Sequence, residues 1–300
     1  HGSHVVGIIG ASGANSVTNC PFVSCTAFQM RGMAPNVSLA PYNDGRSAAN
    51  LDNAVNTFGA EVSNHSYYMT CGAYDADAQG IDQMIRGDGA NGGTAIPPHQ
   101  MVKSAGNSGQ SGQYCDAAGY FALTGAAKNL LVVGAMNAQD SFNLQAGSSR
   151  GPTWDGRLKP DVMGIGCADS TDNDTQGYVS KCGTSMASPS VTGIVALMTE
   201  QYHHSLPAAG RPVPSLLRAL LIQTATDLIH DPAQPGFTEF GWNDPDTGQP
   251  VIYHAGPDWA TGYGAANAAR ATAAVRAHNF VEGTVTPGDA TDTYVINVPA

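Results

Sequence analysis

Charged residues are scarce in this chain of 300 residues, since they make up only 12% of it against a usual ~25%. Coiled coils need abundant Glu, Lys and Leu, and disordered chains combine high charge with few apolar residues, so the composition excludes both classes. No apolar run approaches the ~20 residues that a membrane-spanning helix requires, so we expect no membrane partner. The hydrophobic fraction of 42% is instead enough for a large core.

Basic residues are the scarcer of the two charged types. The chain has 13 Lys and Arg residues against 24 Asp and Glu residues, which gives a formal net charge of −11 at pH 7. An acidic surface repels the phosphate backbone of nucleic acids. The charge balance therefore argues against nucleic acid as a partner.

Cysteine is sparse as well, with six residues, and no CxxC or Cys/His spacing typical of a metal site occurs among them. Their even number fits three bridges in an exported protein. The spacing suggests the pairs Cys20–Cys25, Cys167–Cys182 and, from the remaining two residues, Cys71–Cys115. The alternative is six buried free thiols in a cytosolic protein. Three disulfide bridges predict a secreted protein.

Strand-like and helix-like patterns alternate along most of the chain. Strands are predicted at residues 37–42, 60–67, 99–106, 129–136 and 159–166, and helices at 1–13, 46–58, 75–86, 185–202, 213–226 and 264–277. This alternation predicts an α/β fold with a mostly parallel sheet covered by helices on both faces. Residues 281–300 lack helical periodicity and alternate late, so we expect a main domain at 1–280 and the beginning of a separate β domain at 281–300.

The strongest chemical signal is a serine among small residues, Ser185 in GTSMASP, at the beginning of a predicted apolar helix. A helix N-terminus presents unpaired N–H groups and a partial positive charge. A serine there can attack a carbonyl while its own N–H stabilises the oxyanion that forms. The alternative is a Thr or Ser cap on an ordinary buried helix.

Two further segments carry candidate catalytic groups. His1 opens HGSHVVG, where a histidine at the beginning of a small-residue helix could reach a serine, and the alternative is a solvated or capping histidine. Asn107 lies in SAGNSG after a predicted strand, where its amide could donate into a site at the edge of the sheet. For Asn107 the alternative is a plain turn.

Several motifs occur together in a fixed order: HGSHVVGIIG, GMAPN, SAGNSG, SSRGPTWDGRLKPDV, GTSMASPSVTG and TGYGAANAARA. Over about residues 1–277 the chain thereby resembles the subtilisin-like serine proteases, or subtilases. The resemblance implies a three-layer sandwich and a serine endopeptidase that needs no cofactor for its chemistry. It implies Ser185 as nucleophile, His1 as general base, and Asn107 with the Ser185 N–H as the oxyanion hole.

The resemblance also implies a monomer that binds peptide or protein substrates as an added strand between two segments. The matching residues here are Ser66, Tyr67, Tyr68, Ser104, Ala105 and Gly106. The family usually has glycines where this chain has Tyr68 and Met69, which would reshape the side-chain pocket, and we expect apolar or aromatic substrate side chains. The alternative is that Tyr67 and Tyr68 are packing residues.

The family's catalytic aspartate precedes its histidine, and nothing precedes His1 here. Among the later aspartates, Asp292 in residues 281–300 has the sequence context most similar to that of the catalytic aspartate. We therefore expect the chain to be a section of a longer protein, with residues 1–280 lacking the strand that carries the aspartate. Subtilases often hold structural calcium, and Asp169, Asp172 and Asp174, with Asp244 and Asp246, form acidic clusters. Neither completes an EF-hand, so the alternatives are a structural calcium ion or solvated loops.

Two other functions compete with an active subtilase. An α/β-hydrolase would use GTSMA as its nucleophile motif and would need His230, His254 or His278 as base, because its order is Ser, acid, His. An inactive protein of the same fold would serve as a binding module. Retention of His1, Asn107 and Ser185 together favours the enzyme.

Overall fold

The computed structural model describes residues 1–43, 47–89, 95–112, 115, 117–137, 143–173, 177–230, 243 and 248–283. Four of the acidic residues discussed above, Asp174, Asp244, Asp246 and Asp292, lie outside the described residues, as does most of the predicted β domain, residues 284–300.

A parallel sheet forms the centre of the described structure. Its strands are β1 (Val62–His65), β2 (Gln100–Ser104), β3 (Leu131–Met136) and β4 (Val162–Ile165), hydrogen-bonded in the order β1-β2-β3-β4. Strands β2 and β3 are buried along their whole length, as continuous runs covered on both faces should be. The alternation of strands and helices therefore gave the correct fold class.

Helices pack on both faces of the sheet. One face carries α4 (Thr184–Ser205), α5 (Pro214–Gln223) and α6 (Ala268–Arg276), which share an apolar cluster with Val102 and Val133. The other face carries α2 (Ala48–Asn56) and α3 (Ala76–Arg86), which pack with Met101 and Val132. Because successive strand residues point to opposite faces, neighbours in β2 and β3 serve different layers.

Helix α1 (Gly2–Gly10) lies against α4 and against a hairpin of β5 (Cys167–Thr171) and β6 (Tyr178–Cys182). The sequence pattern did not predict this hairpin, because its residues are polar and only partly buried. The predicted strand at 37–42 was wrong. Residues 38–41 are exposed and no ladder pairs them with a described strand, and an apolar run without a partner has nothing to hold it extended.

All six cysteines lie in the described part of the chain and form three disulfides, so the alternative of free thiols is wrong. The pairs are the predicted ones: Cys20–Cys25, Cys71–Cys115 and Cys167–Cys182. The last of these joins the outer ends of β5 and β6 next to Gly183, immediately before α4.

Candidate active site

Ser185 is half-buried in the first turn of α4. Gly183 is the N-cap that precedes the helix, and its φ of 134° favours glycine. The Thr184 N–H is bonded to Asn107, whereas the Ser185 N–H has no acceptor among the described residues. The Ser185 N–H and the positive end of the helix therefore remain available to an anion.

Asn107 lies just beyond β2, and its side-chain oxygen faces α4. The oxygen Oδ1 accepts a bond from the Thr184 N–H at 3.0 Å and from Thr184 Oγ1 at 2.9 Å. A Cβ at Gly183 would come within 3.1 Å of that oxygen, which is a second reason for glycine there. Since both bonds use Oδ1, the Nδ2 group of this exposed residue makes no hydrogen bond with the described residues and is available as a donor.

A polar network behind the serine connects it to β1. Ser66 Oγ donates to the Ser185 carbonyl at 3.0 Å, and Asn64 Nδ2 donates to Ser66 Oγ at 3.0 Å. The Asn64 oxygen in turn accepts from Ser188 Oγ at 2.8 Å and Thr192 Oγ1 at 3.0 Å. The network ties α4 to the residues that follow β1. Asn64 was not predicted as a site residue, although a polar residue within a strand that packs against a helix is a signal of this role.

Helix α1 brings His1 to the same end of the molecule as Ser185. Val5 and Ile8 pack against Met186, the neighbour of Ser185. Further along both helices, the Ile9 carbonyl lies close to Gly193. The two helices therefore run in the same direction, with His1 before the first turn of α1. His1 is exposed, and no hydrogen bond joins its ring to the described residues.

His4 has a structural role that is distinct from that of His1. Its Nε2 lies 3.1 Å from the Ala168 carbonyl and 2.9 Å from the Val179 carbonyl, and burial lowers its pKa. The hairpin also binds the backbone of α1, because Ser170 Oγ donates to the His4 carbonyl at 2.9 Å. These contacts fix α1, and with it the place of His1.

The two predicted substrate segments differ in their surroundings. Tyr67 turns inward, since its hydroxyl bonds His65 Nδ1 and its ring meets the His65 ring edge-on at 5.5 Å. Tyr68 is 46% exposed. The packing alternative therefore fits the Tyr67 side chain and does not fit the Tyr68 side chain.

The segment at Ser104–Gly106 is bonded within the protein. The Ala105 N–H donates to the Val133 carbonyl and its carbonyl accepts from the Thr124 N–H, both at 2.8 Å. The Gly106 N–H donates to Thr184 Oγ1 at 3.2 Å, and its carbonyl accepts from the Ser149 N–H at 3.0 Å. This backbone is a rigid wall next to Asn107.

The acidic residues of the hairpin do not form a metal centre with the described residues. Asp169 and Asp172 lie in or beside β5, and across the described ranges no three His, Cys, Asp or Glu side chains gather as a cation site. The described helices also include none that is long and apolar enough to cross a membrane.

A family model describing the subtilases matches residues 1–243 of the 300. The chain belongs to the subtilase family. The family predicted from the motifs is thereby confirmed, and the α/β-hydrolase alternative is wrong. Subtilases are serine proteases that need no cofactor for their chemistry.

Individual subtilases match over shorter stretches. The thermophilic serine proteinase of Bacillus sp. (strain AK1) is 27% identical over 214 residues, which covers 69% of this chain and 44% of that protein. The serine protease/ABC transporter B family protein tagB of Dictyostelium discoideum is 32% identical over 123 residues, or 30% of this chain and 6% of that protein. This chain thus spans less than half of either relative.

Solved subtilase structures share the fold. The patellamide maturation protease PatA superposes with a TM-score of 0.58 at 21% identity, covering 92% of this chain and 84% of that chain. The prenylagaramide maturation protease PagA gives a TM-score of 0.55 at 19% identity, covering 92% and 82%. The parallel sheet with α4 behind it is therefore the subtilase arrangement.

Proposed function

We propose that this subtilase chain carries the catalytic residues of a serine endopeptidase. Ser185 attacks the peptide carbonyl, His1 accepts the serine proton, and Asn107 Nδ2 and the Ser185 N–H donate to the oxyanion. The observation that carries the proposal is the pair of hydrogen bonds that Thr184 donates to Asn107 Oδ1. Because both bonds use the oxygen, Nδ2 is left as a donor beside the turn that holds Ser185.

The reaction follows from these positions. When Ser185 Oγ bonds the carbonyl carbon, His1 takes its proton and then delivers that proton to the leaving amine. The acyl group stays on Ser185 until a water molecule, deprotonated by His1, releases it. The N-terminus of α4 stabilises the negative charge in both steps. The orienting aspartate expected from the resemblance has no motif in this chain, so activity is to be measured on the full-length protein.

Substrate binding divides between the two segments. Ser66, Tyr67 and Tyr68 are proposed to pair with the substrate main chain, with the exposed Tyr68 ring against a substrate side chain. Ser104, Ala105 and Gly106 are proposed to form the wall of the side-chain pocket, because the Ala105 and Gly106 backbone is bonded elsewhere. Apolar or aromatic substrate side chains fit the Tyr68 and Met69 surroundings best.

The three disulfides support secretion, because such bonds persist in oxidising compartments. We propose a secreted monomer with peptide or protein substrates.

Asn107→Asp tests the oxyanion hole. Aspartate still accepts the two Thr184 bonds but offers no N–H and adds negative charge, so kcat for peptide hydrolysis falls about 10²–10³-fold, as for loss of this donor in subtilisin. KM and the unfolding midpoint stay near their wild-type values. Steady-state kinetics on the full-length protein give the result, with the exposed Asn36→Asp as control. An unchanged kcat contradicts the assignment.

The second candidate is an inactive subtilase-fold binding module, favoured because no hydrogen bond joins the His1 ring to Ser185 or to any other described residue. It predicts that the full-length protein binds extended peptides without cleaving them. Isothermal titration with a peptide pool, followed by mass analysis of the same peptides after prolonged incubation, separates the two functions. Intact peptides favour the module, and cleaved peptides favour the protease.

A further inference from the structure

Lys103 is fully buried at the end of β2, one residue before the pocket wall. Its Nζ donates to the Ser104 carbonyl, to Ser104 Oγ at 3.1 Å and to Thr124 Oγ1 at 3.0 Å. Over the ranges that the structure describes, no carboxylate forms an ion pair with it. A buried ammonium without a counter-ion is costly, and burial lowers the pKa of Lys103 to about 7.

Lys159 shows the contrast within the same sheet. It is as deeply buried as Lys103, but its Nζ pairs with Asp161 Oδ2 at 2.6 Å and donates to the Leu130 carbonyl at 2.6 Å. Lys159 therefore has the counter-ion expected of a structural residue, whereas Lys103 has none among the described residues. Buried charged residues that lower stability because they have no counter-ion are characteristic of functional sites.

The turn at Thr124 and Gly125, called the Thr124 turn, bonds to residues in or next to both substrate segments. The Thr124 N–H donates to the Ala105 carbonyl at 2.8 Å, and Thr124 forms a bridge with Cys71. The next residue, Gly125, donates its N–H to the Thr70 carbonyl at 2.8 Å. The turn thus lies between the pocket wall and the residues that follow Tyr68 and Met69.

We propose that Lys103 is a positioning residue, whose ammonium ties the pocket wall at Ser104 to the Thr124 turn and so fixes the pocket that receives the substrate side chain. The inference rests on the proposed function, because it assigns Ser104 to the substrate pocket. The protonated amine donates all three bonds with full charge. The neutral amine keeps two N–H groups and loses the charge, so the hydrogen bonds from Lys103 to Ser104 and Thr124 weaken as pH rises.

Few other groups near Lys103 titrate in the same range. His65 lies beside it in the parallel register, and burial lowers the pKa of His65 to about 3. His99, which directly precedes β2 and interacts electrostatically with His65, has its pKa lowered to about 4 by burial. Tyr67 bonds His65, and the Asp82 carboxylate of α3 accepts the N–H groups of residues 128 and 129. Lys159, whose pKa burial lowers to about 8, titrates in the same range. The variant Lys159→Met removes that amine and so separates its contribution from that of Lys103.

The variant Lys103→Met, compared with Lys159→Met in the full-length protein, tests the inference. Losing charge-assisted bonds from the wall raises KM for a peptide substrate roughly tenfold at pH 6 and leaves kcat near wild type. Wild-type KM rises from pH 6 to 8.5, whereas the variant's KM is flat, because methionine has no amine to lose its proton at this position. Lys159→Met lowers Tm and leaves KM unchanged.

The Tm of the Lys103→Met variant distinguishes a positioning role from a purely structural role. The pKa of Lys103 in the folded protein lies below its unfolded value of 10.5. The loss of folding stability caused by burying the ammonium is therefore complete below about pH 7, and it decreases as pH rises toward 10.5. Lys103→Met therefore raises Tm, and by more at pH 6 than at pH 9.

The outcomes separate the inference from the proposed function. Hydrolysis by wild type with a KM that is flat between pH 6 and 8.5, or an unchanged KM in Lys103→Met, overturns the inference alone. The wild-type profile decides this even where the variant does not fold. Absence of hydrolysis and of active-serine labelling in wild type overturns both.

Discussion

Replacing Ser185 with alanine should lower kcat for peptide hydrolysis about 10⁶-fold, the size of the loss when the nucleophile of subtilisin is removed. The oxyanion donors would remain, but no acyl-enzyme could form. Hydrolysis of a chromogenic peptide by the full-length protein measures the loss. Ser190→Ala is the matched control, because its hydroxyl donates to the Ala187 carbonyl of the same helix, and it should retain wild-type kcat.

Stability should be unaffected by the Ser185 change. The Ser185 hydroxyl makes no hydrogen bond with the described residues, and the bond from Ser66 uses the Ser185 carbonyl, which alanine keeps. An equal unfolding midpoint for the variant and wild type therefore separates lost chemistry from lost structure. Wild-type hydrolysis by a folded Ser185→Ala protein would contradict the assignment.

Asp161→Asn should lower the free energy of unfolding by about 3–5 kcal/mol, the cost of leaving a buried charge without its partner. The Asp161 carboxylate is 1% exposed and bonds Lys159 Nζ at 2.6 Å and Arg218 Nε at 3.0 Å. It also accepts the Val132 N–H at 2.7 Å. The neutral amide replaces one acceptor with a donor and removes the counter-charge of a buried lysine.

Urea unfolding measures the Asp161 effect. The matched control is Asp88→Asn, since the Arg86–Asp88 pair is about half exposed on both sides and such surface pairs contribute ~0–1 kcal/mol. A loss below about 1 kcal/mol for Asp161→Asn would contradict the role given to the buried network.

Long periodic elements of the fold could be predicted from sequence. The apolar run at β3 and the small-residue helix α4 lie where the pattern places them. The pattern failed where the neighbours of a segment decide its structure. Residues 37–42 look like a strand but have no described partner strand, and β5 and β6 are polar yet paired, with α1 covering them.

The candidate catalytic residues could be named from motifs, but their arrangement could not. The orientation of Asn107 depends on Thr184, which is 77 residues away in the chain. The bond from Ser66 to Ser185 spans 119 residues. Lys103 gave no signal of a special role, because one basic residue in a strand pattern is usually exposed. Such contacts follow from the packing of the whole fold.

Reaction of the full-length protein with a fluorophosphonate tests the central claim, that Ser185 is an activated nucleophile, most directly. The phosphorus should bond Ser185 Oγ with loss of fluoride, which gives one adduct by intact mass and places it in the peptide containing GTSMASP. The adduct should be absent from Ser185→Ala and from wild type denatured before labelling. No adduct, or an adduct elsewhere with Ser185 unmodified, would contradict the account.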